Sequence, residues 1–143
     1  MLESSLINMQ TTQTGGCMCG AARYAFTGEP EIVLNCHCND CQKASGGQFA
    51  TIIALKAEHF TSTGKLTFYD WRGSSGTLLR RGFCPICGTT VFGYPPNPDV
   101  RNIWAGTLDD GDWVVPTLDH WLKSRKPWSV PLDTTEKCLD AFE

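Results

Sequence analysis

Seven of the chain's eight cysteines fall into three tight clusters, and their spacing suits metal chelation. Cys17 and Cys19 form a C-x-C in GGCMCG; Cys36, Cys38 and Cys41 form a C-x-C-x2-C in NCHCNDCQKASGG; Cys84 and Cys87 form a C-x2-C in FCPICGTT. Cys138 stands alone. Cysteines two apart on an extended chain point to one side, and cysteines three apart face inward around a tight turn. A secreted disulfide scaffold would spread its cysteines through a smaller chain. Thiolates at this density favour zinc over magnesium or calcium, with an iron–sulfur cluster as the alternative. The reducing cytoplasm is the compartment that keeps such thiols unpaired.

FCPICGTT is the strongest local signal. In C-P-x-C-G, Pro85 pre-sets a turn and Gly88 supplies the positive φ that aims backbone N–H groups at sulfur, which makes a zinc knuckle. A knuckle supplies two ligands, so two more must come from elsewhere. Cys17 and Cys19 offer the matching pair, flanked by glycines that let two backbones approach closely. The pairing completes a closed four-cysteine site that ties the N-terminal strand to the middle of the chain. A closed site of this kind is structural, and its binding free energy becomes folding free energy.

Cys36, Cys38 and Cys41 are then left together as three ligands of one ion. Three protein ligands with a fourth position for another group is the catalytic pattern of zinc. Cys138, His37, His59 and His120 are the protein groups that would close the position instead. His37, between two ligands on an extended chain, is expected on the opposite face as a packed or hydrogen-bonding residue. His59 reads as a surface or packing residue in a turn. Three thiolates overbalance the ion's charge, so generating hydroxide is not the natural task of such a site. Binding a small thiol as its thiolate is. A bound sulfur can add to an aldehyde, or leave in the reverse reaction.

The elements that must position these clusters read as short strands. Gly and Pro punctuate the chain without any repeat or linker, which predicts one mostly β domain. Candidate strands run over 21–27, 32–35, 49–55, 66–71, 77–83, 89–94 and 100–105, several rich in β-branched and aromatic residues. Asp40 to Ala44 is expected to make one helical turn ending at Gly46–Gly47. Asp133 with Glu136 resembles a capping box opening a short C-terminal helix, with Leu139 and Phe142 on one face.

The order GGCMCG, then CHCNDCQKASGGQFA, then FCPICGT, followed by DHWLKSRKPW near the C-terminus, resembles the glutathione-dependent formaldehyde-activating enzyme family, whose domain is shared with centromere protein V. The resemblance implies an all-β fold of several short coiled antiparallel sheets around a structural zinc site. It implies a domain over 15–130, with 1–14 as an N-terminal extension and 131–143 as a tail or short helix. It also implies two zinc ions: a structural one on Cys17, Cys19, Cys84 and Cys87, and a labile, glutathione-linked one on Cys36, Cys38 and Cys41. The expected function is carbon–sulfur lyase-type chemistry on an adduct of glutathione or another small thiol with an aldehyde, formaldehyde among them.

Glutathione carries two carboxylates, for which Lys43, Arg80, Arg81, Lys123, Arg125 and Lys126 are the candidate partners, arginine being better suited to bidentate capture. Of the five tryptophans, Trp121 and Trp128 are the expected pocket residues. The alternative is a zinc-stabilised protein-binding module, or a thiol-responsive zinc protein without catalysis. A length of 143 residues with 41% apolar and 19% charged residues excludes a disordered or fibrous chain. A net charge of −3 argues against nucleic acid as partner. MLESSLINMQ has neither a basic nor an apolar signal region, and the longest apolar runs are strand-sized, so neither secretion nor a membrane span is expected.

Overall fold

The computed structural model describes residues 11–73 and 76–140. These form two β-sheets, one short α-helix and three short 3-10 turns. A three-stranded antiparallel sheet places β2 (Arg23–Phe26) between β1 (Gln13–Gly16) and β5 (Phe60–Thr63). In the larger sheet the spatial order is β11 (Glu136–Lys137), β10 (Leu118–His120), β3 (Ile32–Cys36), β4 (Ala50–Lys56), β9 (Val100–Trp104), β8 (Thr90–Tyr94), β7 (Leu78–Phe83) and β6 (Thr67–Arg72). Its neighbours pair antiparallel except at one end, where β10 runs parallel to both β3 and β11. The fold is mostly β, in more than one sheet, as expected. Among the described residues no helix is long and apolar enough to cross a membrane.

The centre of the large sheet is buried on both faces, which is why β4 reads as an almost continuous apolar run, ATIIAL. Ile53 and Leu55, with Val33, Ile103 and the aromatic side chains of β2, fill one core. Ala50 and Ile52 point the other way and join Leu34, Cys36 and Leu118 in a second. Strand alternation thus divides the cysteines. Cys17 and Cys84 belong to the first core, and Cys36, with Cys38 and Cys41 packed against it, to the second. The two thiol clusters lie on opposite faces of one sheet.

The seven expected strands are present with ends shifted by a residue or two. The expected helical turn is α1 (Asn39–Ser45), which ends at Gly46 with φ 72°. Among the described residues the C-terminal helix is absent. Asp133 and its neighbours make a turn, and Glu136–Lys137 extends as β11 beside β10. Pairing overrides the capping signal here. Glu136 N donates to Thr117 O at 2.9 Å and Cys138 N to Asp119 O at 2.9 Å, and the Thr135 hydroxyl is buried on Asp119. Leu139 is exposed, and Phe142 lies outside the described residues. β1 begins at Gln13, so Gln13 and Thr14, expected in the N-terminal extension, are part of the small sheet.

Candidate metal centres

Cys17 and Cys19 leave β1, Cys84 follows β7, and Cys87 closes the turn that leads to β8. Their four sulfurs lie within 4.8 Å of one another. Cys17 Sγ is 3.6 Å from Cys19 Sγ, which is 3.7 Å from Cys84 Sγ. Zinc–thiolate bonds of about 2.3 Å give a tetrahedron with sulfur–sulfur edges of about 3.8 Å, so the group fits such an ion. Backbone amides already point at the sulfurs: Ala22 N donates to Cys17 Sγ at 3.3 Å and Ile86 N to Cys84 Sγ at 3.4 Å. The Thr89 hydroxyl, 3.3 Å from Cys87 Sγ, together with backbone amides, brings the Cys87 thiol down to about 5. At Cys19 the Ala21 amide pulls down, but the Cys17 sulfur and the other thiols outweigh it and push the thiol up to about 11.

The second group is carried by a strand end and a helix start. Cys36 closes β3, Cys38 is the N-cap of α1, and Cys41 lies in its first turn. Their sulfurs also lie within 4.8 Å of one another. Cys38 accepts from Cys41 N at 3.3 Å. Hydrogen bonds from the Cys36 and Cys41 thiols, then from backbone amides, hold Cys38 down near 3. The same sulfur raises Cys36 to about 12, and Cys36 and Cys38 drive Cys41 upward as well. One thiolate shared by two thiols is an arrangement that a soft cation completes by replacing the protons. Among the described residues no fourth His, Cys, Asp or Glu, and so none of His37, His59, His120 and Cys138, has a ligand atom within 4.8 Å of all three sulfurs.

His37 turns to the opposite side, as alternation requires. It is fully buried, with Nε2 2.8 Å from Asp119 Oδ1 and its ring against Phe49. Asp119 also takes the Thr135 hydroxyl and Lys137 Nζ, the latter at 3.0 Å. His37 N donates to His120 O at 2.8 Å, and Gln42 Nε2 bridges His37 O (2.7 Å) and Ser124 O (3.0 Å). These bonds fix the backbone between Cys36 and Cys41. Sequence reasoning missed Asp119 and Gln42. Their signals were nearness to His120 in DHW and position after Cys41 in CQK.

A cleft of about 520 Å³ opens over the three cysteines. Trp121 lines it, as expected, but Trp128 is an exposed surface residue away from it. Trp71 and Trp104 line it as well. Trp121 holds φ 59°, the one positive φ outside glycine among the described residues, and this backbone sits beside β10 at the cleft wall. His120 also faces the cleft, and burial lowers its imidazole below the usual value against the opposing pull of Cys38. Of the six candidate cations only Arg80 reaches the wall. It is engaged by Asp70 at 2.6 and 2.9 Å. Arg81 stacks on Tyr69 and Trp71, Lys123 pairs with Asp140, and Lys126 bonds Asn39.

A mostly β domain with a four-cysteine and a three-cysteine cluster on opposite faces of one sheet is a thiol-rich architecture that could hold metal ions. The chain belongs to the glutathione-dependent formaldehyde-activating enzyme family, whose sequence model matches residues 12–124. Its fold is similar to the crystal structure of a Rhodobacter sphaeroides protein from structural genomics. That likeness has 20% identity, covers 67% of this chain and 87% of the other, and has a TM-score of 0.53.

Proposed function

We propose that the protein is a zinc-dependent carbon–sulfur lyase-type enzyme of the reducing cytoplasm, acting on adducts of a small thiol such as glutathione with an aldehyde, formaldehyde included. One observation carries the reading: Cys36, Cys38 and Cys41 converge at the wall of a cleft, with no fourth protein ligand among the described residues. In this reading Cys17, Cys19, Cys84 and Cys87 hold a structural zinc, and the three-cysteine group holds a second. When bound there, zinc supplies a position that keeps a small thiol ionised at neutral pH.

The chain's own residues do the rest. Cys36, Cys38 and Cys41 make the site electron-rich, which favours sulfur over hard oxygen ligands. Leu34 and Ile52 keep water from its inner side, and the His37–Asp119 and Gln42 bonds hold the ligand segment in register. In the substrate, the thiolate sulfur bonds to the aldehyde carbon while the C=O π pair moves to oxygen. The proton lost from the thiol ends on the new hydroxyl. Cleavage reverses each movement, so no redox partner is required.

Calorimetry with glutathione, run in buffers of different ionisation enthalpy, tests the reading. Wild type should bind with release of a proton, and apparent affinity should rise with pH until the thiol ionises at about pH 8–9. Cys38→Ser should lose that proton-linked heat. Equal binding in both proteins, or none in either, would leave a zinc-stabilised scaffold.

A further inference from the structure

The cleft beside the three cysteines differs in character from a pocket made for a small, doubly charged peptide. Its walls are aromatic and aliphatic: Trp71, Trp104, Trp121 and Tyr94 stand around a floor that includes Leu34 and Ile52. Apart from the cysteines, two charged side chains occur among its described lining residues, and both are engaged. Arg80 is held by both carboxylate oxygens of Asp70, and Asp40 Oδ2 accepts the Trp71 indole N–H at 3.1 Å. A ligand carboxylate drawn inside would give up hydration without a charge partner at hand, which costs several kcal/mol. An apolar group drawn inside gains instead, at about 25 cal/mol per Å² buried. A volume of about 520 Å³ lies within the range of about 300–1,000 Å³ usual for pockets that enclose whole small molecules.

Formaldehyde uses none of this space, because its carbon carries only hydrogens. We infer that the cleft is a specificity pocket for an apolar, ring-sized substituent on the aldehyde carbon, which places aromatic or branched aldehydes above formaldehyde as substrates. The inference rests on the carbon–sulfur reading for the reaction but not for the pocket. The thiol's charged ends stay outside, at the rim, while the substituent lies over β4. Ala54 is the gap that admits it. Ala54 pairs with Ile32 on β3 and with Asn102 on β9, and all three line the cleft, so a larger side chain at 54 would rise from the middle of its floor. The reaction is still an addition: the C–S bond forms, the C=O π bond opens, and the thiol proton goes to the hydroxyl, whatever the carbon carries.

Stable thioethers report on the pocket without needing turnover. Tryptophan fluorescence titrations with S-benzylglutathione and S-methylglutathione on metal-loaded protein compare a ring with a methyl group on the same tripeptide. Wild type should bind the benzyl thioether at least about tenfold more tightly, about 1.4 kcal/mol. Ala54→Phe should bring the ratio near one. Trp121→Gly suits the backbone at φ 59° and removes one aromatic wall, so it should fold and lower the ratio too. Equal affinities in wild type, including no binding of either, or a preference that survives both pocket variants, would overturn the inference. A benzyl preference without proton-linked glutathione binding would support the pocket and remove the carbon–sulfur reading. Proton-linked binding without the preference would do the reverse.

Discussion

Asp119 is a fully buried carboxylate on which three side chains converge: His37 at 2.8 Å, Lys137 at 3.0 Å and the Thr135 hydroxyl. Burial alone would raise its pKa, but the bonds from Thr135, His37 and Lys137 outweigh it and hold the carboxyl below the usual range. The carboxylate therefore contributes stability that is present above the unfolded value of about 3.9 and is lost as pH falls through the lower folded one. Asp119→Asn should cost about 1–3 kcal/mol at neutral pH, through weakened bonds to the buried His37 and Thr135 and the more exposed Lys137. It should also flatten the acid limb of the stability curve. Urea unfolding of both proteins between pH 3 and pH 7 measures this, and parallel curves would deny the network its role. Its place beside His120 in DHW was the one signal for this residue, and it does not reveal the network. Its partner His37 is 82 positions away, and nothing local in LDHW demands a buried acid. The cysteine clusters were legible because the nearness of Cys36, Cys38 and Cys41, or of Cys84 and Cys87, is a matter of short spacing.

Gly16 and Gly88 serve the four-cysteine cluster in different ways. A side chain on Gly16 would press into the Ala22 carbonyl oxygen and the backbone of Arg23, because β1 and β2 close tightly before the C-x-C. That same Ala22 receives the Cys17 N–H and sends its own N–H to Cys17 Sγ. Gly88 holds φ 76° in the knuckle with open space around it, so a substitution there meets backbone strain alone. Gly88→Ala should cost about 1–2 kcal/mol. Gly16→Ala should cost more and weaken metal retention, since it displaces an amide that points at sulfur. Thermal melts with metal analysis compare the two, and equal losses would mean that the close approach is unimportant.

Strands such as β4 and β9 were legible because a buried centre needs apolar, β-branched runs. β1, β5 and β10 were not: GG, TST and a three-residue LDH gain their strand character from neighbours. The C-terminal capping signal failed for the same reason, since β10 offered an edge that outweighed a short helix with little to dock on.

At the scale of the molecule, one sheet separates the two clusters. Cys17 and Cys84 are built into the core that Ile53, Leu55 and Ile103 complete, so on the proposed reading loss of a metal there would be loss of the core. Cys38 and Cys41 are half-buried beside a cleft, so on the same reading loss of a metal there would leave the fold standing. Chelation by four closed ligands also resists competition better than three with an exchangeable partner. The most direct measurement is titration of the metal-loaded protein with a chromogenic zinc chelator. The account predicts two equivalents released in two phases, a fast one lost in Cys38→Ser and a slow one, coupled to unfolding, lost in Cys87→Ser. A single slow phase carrying both equivalents would contradict it, because the three-cysteine site would then be closed.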